Sequence, residues 1–312
     1  MGKIKVVFLG TPDFAVESLK AINESDKIDV ELVISQSDRK RNRGKITPTP
    51  VKQYAIDNGL KVYTPEDINS NESIEIISNI NPDYIVVVAY GQILKDNLLK
   101  KFKDKILNVH SSLLPKYRGA APINWAIIEG EKKSGITIML VEKGLDKGDI
   151  LFSLEEEISP SENAQMLHDK LKVLGGKGIV EVLLNFDNYF KNKTSQNEEK
   201  ASYRGILNRK FGKISWDDKA INIYNKFRGL YPWPGSFFEY EGENVKVLDM
   251  DYVLNEHKLK PGYVTEVNNS FIKVSCNDGF ILINEIQFPN KKRMSVENYL
   301  RGNNFKEKIF LN

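Results

Sequence analysis

The sequence predicts an α/β fold with a doubly wound, mostly parallel sheet, followed by a small C-terminal β-barrel of the OB-like type. In the first half, short apolar runs alternate with helical patterns, which is typical of β-α-β units. The run at residues 84–89 is apolar on both faces, as a central strand of a parallel sheet must be. After residue 206, short apolar stretches separated by Gly and Asn indicate an antiparallel barrel.

The elements of the first half follow from these patterns in chain order. Pro12 suits the first turn of a helix, and Asn58-Gly59 is a typical helix end. Strands are expected at residues 4–9, 30–35, 84–89, 106–110 and 136–141. Helices are expected at residues 12–23, 49–58, 123–128 and 161–189.

The second half divides after a polar segment. Residues 191–206 show no apolar periodicity, so we predict a linker between a first domain of residues 1–190 and a second of residues 207–312. The second domain is expected to begin with a helix at residues 219–229. Its strands are expected at residues 236–240, 244–252, 262–268, 271–275 and 280–288.

Composition restricts the possible functions. The chain has 312 residues, 41% of them hydrophobic, with one cysteine, so an internal disulfide and a cysteine-based metal site are excluded. Cys276 is expected to be a small structural residue. No apolar run approaches the roughly 20 residues that span a bilayer, and the first residues enter a strand directly, so we expect a cytoplasmic protein. The net charge of +3 arises entirely after residue 206, a weak indication of a polyanionic partner.

The chemistry-bearing residues concentrate in residues 108–149. Asn108 and His110 lie two residues apart at the end of a predicted strand, so both project to one face. Ligands in such sheets bind at the carboxyl ends of the strands. Residues 111–122 form a long Gly- and Pro-containing loop, and residues 144–149 form an acidic loop that we place at the same sheet edge.

Each of these residues alone has a structural interpretation. A single histidine is more often structural than catalytic, Asn108 could cap a strand, and Asp146 could form a turn. Their joint placement favours a functional site. His168, in a helical pattern, and His257, in a polar loop, keep the structural interpretation.

Three spaced motifs resemble the signature of the folate-dependent formyltransferase family, whose catalytic domain is Rossmann-like. They are N-x-H-x-S-L-L-P at residues 108–115, R-G-A-A-P at residues 118–122 and G-L-D-x-G-D at residues 144–149. Further segments, G-T-P-D-F-A at residues 10–15 and P-W-P at residues 232–234, are similar to the branch of that family that uses methionyl-tRNA. The resemblance runs nearly end to end and is thinnest in the linker and the last hundred residues.

The resemblance implies the substrates and the site residues. The donor would be 10-formyltetrahydrofolate, the acceptor the amine of initiator methionyl-tRNA, and the reaction would serve translation initiation, without a metal or a covalent enzyme intermediate. The catalytic residues would be Asn108, His110 and Asp146. The folate-binding residues would be Ala89, Tyr90, Gly91, Ser111, Ser112, Leu113, Leu114 and Pro115. Asn108 and a protonated His110 would stabilise charge on the formyl oxygen, and Asp146 would orient His110 or help to move the amine proton.

A basic loop supports a tRNA acceptor. Residues 38–45 carry five basic residues in eight within a connection that is usually shorter, which suits phosphate contacts. The loop at residues 38–45 resembles the insertion that contacts tRNA in the formyltransferase family. The expected tRNA-binding residues are Arg39, Arg41, Arg43, Lys45, Lys291, Lys292 and Arg293. We expect a monomer with no membrane partner.

Three alternatives remain open, and a fourth fails on its own motif. The nearest is a sibling formyltransferase that acts on a sugar or nucleotide amine, because the catalytic residues would serve it equally. A formyl-folate hydrolase and a noncatalytic RNA-binding protein are also compatible with the fold. A dinucleotide dehydrogenase is disfavoured because residues 10–15 lack the G-x-G-x-x-G turn.

Overall fold

The computed structural model of the chain describes residues 2–41 and 45–311. Its helices are α1 (Asp13–Asn23), α2 (Pro50–Asp57), α3 (Asn71–Ile80), α4 (Asp96–Lys101), α5 (Pro122–Ile128), α6 (Ala164–Leu184), α7 (Phe186–Lys191), α8 (Ala220–Gly229) and α9 (Val296–Leu300). Short 3₁₀ turns lie at Glu198–Lys200 and Arg209–Gly212.

The strands fall into a large mixed sheet, an antiparallel C-terminal sheet and two small pairs. They are β1 (Ile4–Gly10), β2 (Ile28–Ile34), β3 (Arg39–Arg41), β4 (Lys45–Thr47), β5 (Val62–Tyr63), β6 (Tyr84–Val88), β7 (Ile106–His110), β8 (Arg118–Gly119), β9 (Lys133–Leu140), β10 (Ile150–Glu157), β11 (Tyr203–Arg204), β12 (Ser236–Tyr240), β13 (Glu243–Leu254), β14 (Val264–Val267), β15 (Ile272–Ser275), β16 (Gly279–Gln287) and β17 (Met294–Ser295).

The large sheet has the strand order β10-β9-β7-β6-β1-β2-β5. The five strands from β7 to β5 are parallel, which confirms the mostly parallel α/β prediction. The centre of β1, residues 6–9, is fully buried, as a strand covered on both faces requires. The loops that follow β6 and β7 depart from the carboxyl edge of these parallel strands.

The direction of β9 differs from the alternation inferred from the sequence. β9 pairs antiparallel with β7, and β10 pairs antiparallel with β9. Alternation of strand and helix patterns does not determine strand direction, and the long loop after β7 lets the chain reverse. The carboxyl end of β9 therefore lies beside the beginning of β7, with Leu140 paired to Leu107.

Local sequence explains where α2 and α3 begin. The Thr49 hydroxyl accepts a hydrogen bond from the Lys52 amide at 3.2 Å and caps α2, and Ser70 caps α3 in the same way. The sequence interpretation missed α3, α4, β5 and β10. The predicted helix at residues 161–189 is two helices, because α6 ends at Leu184 and α7 begins at Phe186.

The chain divides into two compact units. The first unit comprises Met1–Pro122, Lys133–Glu157 and Leu167–Arg204, and it contains the large sheet. The second unit comprises Ile123–Lys132, Ile158–Met166 and Gly205–Asn312. Much of the segment predicted as a linker is thus packed within the first unit. Among the described residues, no helix has both the length and the apolar character needed to span a membrane.

The C-terminal sheet is antiparallel, with the strand order β12-β13-β16-β15-β14 and β17 paired with β16. This confirms the prediction of an antiparallel C-terminal domain. The inward side chains of these strands form an apolar core that includes Phe238, Ile272, Ile281 and Ile283. Cys276 follows β15 and is fully buried in the same core.

We expect Cys276 to be unreactive in the native protein. Burial raises the pKa of its thiol to about 11, so only about one thiol in a thousand is ionised at pH 8. A thiol-reactive disulfide reagent should label the native chain very slowly and label one thiol per chain at once in denaturant. The Cys276→Ala variant, which has no thiol, sets the background. Rapid labelling of the native chain at pH 8 would contradict the buried position.

Candidate active site

Strand β7 carries the two polar residues at the centre of the site. It lies between β6 and β9, where Asn108 pairs with Val87 and Met139. The His110 residue is only 7% exposed, and Asn108 is half-buried. Among the described residues, none forms a hydrogen bond with the Asn108 side chain. Its amide is therefore available to a ligand on the face that it shares with His110.

The His110 imidazole lies between two acceptors. Its Nε2 is 3.0 Å from the Tyr117 carbonyl oxygen. Its Nδ1 is 3.7 Å from Asp146 Oδ2, an ion-pair distance that is too long for a hydrogen bond. A neutral ring has one N–H and could donate on one side only. Both ring nitrogens of His110 therefore face oxygen atoms.

Asp146 is held by a backbone amide from the neighbouring loop. Its Oδ2 accepts a hydrogen bond from the Gly119 amide at 2.8 Å. Among the described residues, no group forms a hydrogen bond with Oδ1. The backbone of Asp146 has φ +52, in the left-handed region that non-glycine residues rarely adopt. One carboxylate oxygen is thus fixed, and the other is available to a ligand.

The sequence placed the loop that contains Asp146 at the carboxyl edge of the parallel strands, and the structure gives a different route. Because β9 is antiparallel to β7, the loop leaves β9 beside Leu107 rather than beside His110. Three strand residues, roughly 10 Å, separate those two positions. The loop returns over this distance to bring Asp146 to His110.

Gly119 must be a glycine for this contact. Its φ is +94, and a Cβ at this position would lie 2.9 Å from the Arg204 carbonyl oxygen. A side chain would displace the paired backbone of β11 or the amide that Asp146 accepts from. The R-G step of the sequence motif therefore has a defined structural role.

The loop of residues 111–115 is folded around a buried threonine. The Thr137 hydroxyl donates to the Ser112 carbonyl oxygen at 2.7 Å and accepts from the Leu114 amide at 3.1 Å. The Ser112 hydroxyl donates to the Lys116 carbonyl oxygen at 2.7 Å. Ser112 and Leu114 are buried, whereas Ser111, Leu113 and Pro115 are partly accessible. A ligand can therefore reach the partly accessible residues of this loop but not the buried side chains of Ser112 and Leu114.

The second predicted folate-binding segment follows β6. Ala89 and Gly91 have φ of +45 and +97, so the chain turns sharply on either side of Tyr90. The Tyr90 carbonyl oxygen accepts a hydrogen bond from the Thr11 hydroxyl at 2.7 Å, which joins this segment to the loop after β1. Tyr90 is buried, and burial raises the pKa of its phenol. Its neutral ring forms part of the core beneath the turn.

The predicted tRNA-binding residues lie in two places. β3 and β4 pair antiparallel, so Arg39, Arg41 and Lys45 belong to a short hairpin, while Arg43 lies outside the described residues. Lys291, Lys292 and Arg293 are exposed in the second unit. Arg293 forms two hydrogen bonds with Glu285, so its charge is largely neutralised, whereas Lys291 and Lys292 have no ion pair among the described residues.

Several residues that shape the site were missed in the sequence. Thr137 was detectable, because it is the one polar residue in the apolar run at residues 136–140. Arg118 was noted only as part of a motif, and nothing in the sequence shows that it is fully buried. Gln196 and Ser202 lie in a polar segment without periodicity, which carries no signal of their contacts. Among the described residues, no group of three or more His, Cys, Asp and Glu is arranged to hold a metal ion.

Comparison with known proteins gives consistent matches over the whole chain. The family model described as formyl transferase matches residues 3–183, and that described as formyl transferase, C-terminal domain, matches residues 206–304. The chain is 48% identical to a methionyl-tRNA formyltransferase of Finegoldia magna over 99% of this chain and 100% of that protein. It is 46% identical to a methionyl-tRNA formyltransferase of Clostridium novyi over 96% of this chain and 97% of that protein.

A solved structure shows the same fold at low identity. WlaRD, described as a sugar 3N-formyl transferase, is 24% identical, with a TM-score of 0.65 over 94% of this chain and 100% of that chain. At this identity the likeness supports the fold of both halves and carries no information about the acceptor.

We expect Thr137→Val to loosen the loop of residues 111–115. The substitution removes the acceptor for the Leu114 amide and the donor to Ser112, which costs about 1–3 kcal/mol of stability because buried polar groups lose their partners. Hydrogen exchange at the Leu114 amide should accelerate, while Thr137→Ser should keep the native rate. Equal exchange rates in Thr137→Val and the parent chain would show that the hydroxyl does not hold the loop.

Proposed function

We propose, from the premise that the chain belongs to the formyl transferase family, that it transfers the formyl group of 10-formyltetrahydrofolate to the amino group of initiator methionyl-tRNA. The observation that carries this function is the end-to-end similarity to methionyl-tRNA formyltransferases at 46–48% identity. The reaction supplies formylated initiator tRNA for translation. Asn108, His110 and Asp146 are proposed as its catalytic residues, which is supported by their closeness: Asn108 and His110 share β7, and His110 Nδ1 is 3.7 Å from Asp146 Oδ2.

Asn108 and His110 act on the formyl oxygen. The amine attacks the formyl carbon, and negative charge develops on the oxygen as the tetrahedral intermediate forms. The Asn108 amide, without another hydrogen bond among the described residues, donates to that oxygen, and the positive charge of His110 stabilises it. A donor of this kind lowers the barrier by roughly 3–4 kcal/mol.

Asp146 has a separate task for each of its oxygens. Oδ2 lies 2.8 Å from the Gly119 nitrogen and 3.7 Å from His110 Nδ1, so it holds the carboxylate in place and orients the imidazole. Oδ1 accepts a proton from the attacking amine. The carbon–nitrogen bond to the folate then breaks, and the same proton reaches the leaving folate nitrogen, directly or through a water molecule.

The folate is proposed to lie along the loops after β6 and β7. Ser111, Leu113 and Pro115 offer the partly accessible surface of the second loop. The turns at Ala89 and Gly91 present backbone groups at the first. Ser112, Leu114 and Tyr90 are proposed to shape these loops from beneath, because they are buried.

The tRNA is proposed to contact the β3–β4 hairpin and the C-terminal domain. The hairpin contributes Arg39, Arg41 and Lys45, and the C-terminal domain contributes Lys291 and Lys292. Arg43, which lies outside the described residues, is proposed as a further contact. Arg293 is proposed to contribute less, because Glu285 neutralises its charge. We assign residues 1–190 to the catalytic domain and residues 207–312 to a tRNA-binding domain, in a cytoplasmic monomer.

The identity of the formyl acceptor distinguishes the proposed function from its alternatives. Formyl transfer from labelled 10-formyltetrahydrofolate should be measured with methionyl-tRNA, uncharged tRNA, an amino sugar and glycinamide ribonucleotide. Methionyl-tRNA should be labelled selectively, and the rate should fall with salt because phosphate contacts release counterions. Labelling of a small amine alone would overturn the tRNA acceptor and keep the formyltransferase site. Release of formate without any acceptor would indicate a hydrolase.

We expect Asn108→Ala to reduce kcat by about 10²–10³-fold, because the oxyanion loses its donor. Binding of the folate, measured by fluorescence quenching, should change little, since the interaction forms mainly in the transition state. Asn58→Ala, an exposed asparagine at the end of α2, provides the matched control and should keep full activity. A variant with unchanged kcat would remove Asn108 from the mechanism.

A further inference from the structure

The polar segment that follows α7 in the chain forms hydrogen bonds with both loops that carry the proposed catalytic site. We call residues 193–204 the strap. At its start, the backbone of Thr194 pairs with Ile150 through two hydrogen bonds of 2.8 and 2.9 Å. Ser195 and Lys193 contact the Asp149 carboxylate at 2.7 and 3.0 Å. This end of the strap is therefore fixed to the loop that contains Asp146.

The other end of the strap is fixed to the loop that follows His110. Ser202 donates from its amide to the Pro115 carbonyl oxygen and accepts from the Arg118 amide, at 3.2 and 2.8 Å. Its hydroxyl accepts from the Tyr117 amide at 2.8 Å. Tyr117 is the residue whose carbonyl oxygen faces His110 Nε2. The strap thus bonds to the segment that orients the imidazole.

A buried charge joins the two ends. The Arg118 guanidinium is 0% exposed, and a charge removed from water requires close partners. The partners come from the strap. Nη1 donates to Glu198 and to the Tyr203 hydroxyl at 3.0 and 2.6 Å, and Nε donates to Gln196 Oε1 at 3.0 Å. Hydrogen bonding to Arg118 lowers the pKa of the Glu198 carboxyl, so the pair is charged at neutral pH.

Gln196 connects this buried charge to the backbone of the catalytic aspartate. Its Nε2 donates to the Asp146 and Gly148 carbonyl oxygens, both at 2.8 Å. Its Oε1 accepts from Arg118, so all hydrogen-bonding groups of the amide except one lone pair are used. The two carbonyl contacts hold residues 146–148 in a turn in which Asp146 has φ +52.

We infer that Gln196 is a positioning residue for the formyl transfer, acting through Asp146. By holding the left-handed turn, it places Oδ2 against Gly119 and His110 and leaves Oδ1 facing the substrate. Arg118 fixes the orientation of the Gln196 amide, so that its NH₂ group rather than its oxygen faces the carbonyl groups. The inference rests on the proposed function and extends it to residues outside the matched motifs.

The test compares Gln196→Ala, Gln196→Glu and the exposed neighbour Glu199→Gln in the full chain. Formyl transfer to methionyl-tRNA by the parent chain is measured first, because its absence would refute the proposed function and the inference with it. In a competent parent, kcat of Gln196→Ala should fall at least about tenfold with little change in KM for the folate, since small misplacements of catalytic groups cost this much. Glu199→Gln should keep the parent kcat.

Gln196→Glu separates the two contacts of the amide. The carboxylate keeps an acceptor for Arg118 and loses the donors to the Asp146 and Gly148 carbonyl oxygens. Its kcat should therefore fall at least as far as that of Gln196→Ala. A kcat equal to that of the parent would overturn the inference, because it would show that the carbonyl contacts are dispensable.

The double variant distinguishes positioning from a general structural effect. In an Asp146→Ala background, Gln196→Ala should have no further effect on single-turnover transfer, because the group that it positions is absent. An equal loss in both backgrounds would overturn the inference. So would a rise in KM alone, or a loss of activity that parallels a loss of folded protein at the assay temperature, as followed by thermal unfolding.

Discussion

The hydrogen bond from the Gly119 amide to Asp146 Oδ2 joins the two loops on which the site depends. One loop follows β7 and carries the carbonyl oxygen that faces His110, and the other follows β9 and carries the carboxylate. The hydrogen bond requires Gly119 with φ +94 on one side and, on the other, Asp146 with its backbone in the left-handed region. Glycine adopts its conformation readily, whereas the conformation of Asp146 is unfavourable for a non-glycine residue, so the loop after β9 depends on support from its surroundings.

The buried basic side chains of these loops face carboxylates. His110 faces Asp146, and Arg118 faces Glu198 on the strap. An isolated charge at Arg118 would be costly, because burial in a region of low dielectric removes its solvation by water. The same low dielectric strengthens the interactions that the Asn108 amide and Asp146 Oδ1, which have no hydrogen bond among the described residues, can make with a ligand. Some polar groups of the site are therefore held by partners, whereas the Asn108 amide and Asp146 Oδ1 are available to a ligand.

The sequence predicted this site unevenly, for identifiable reasons. The strand that carries Asn108 and His110 was found with its correct bounds, because apolar runs and loop residues are local signals. The motif with Asp146 was found, but its route was not, because strand direction depends on pairings that alternation does not encode. α3 was missed although its isoleucines at 74, 77 and 80 repeat at helical spacing and Ser70 caps its first turn, so here a local signal was present and was not used. The contacts of Gln196 and Ser202 are non-local and polar, and no pattern along the chain encodes them.

The polar composition that made the strap resemble a linker is also what suits it to positioning. Apolar burial is non-directional and would tolerate small displacements of the loops, whereas an amide that bonds two carbonyl oxygens and a guanidinium fixes one orientation. Each such bond contributes about 0.5–1.5 kcal/mol net, comparable with the roughly 1–2 kcal/mol needed to order one residue of backbone. The strap therefore cannot be ordered by one end alone. Its order depends on contacts with both catalytic loops together, and the geometry of the loops depends in turn on the strap.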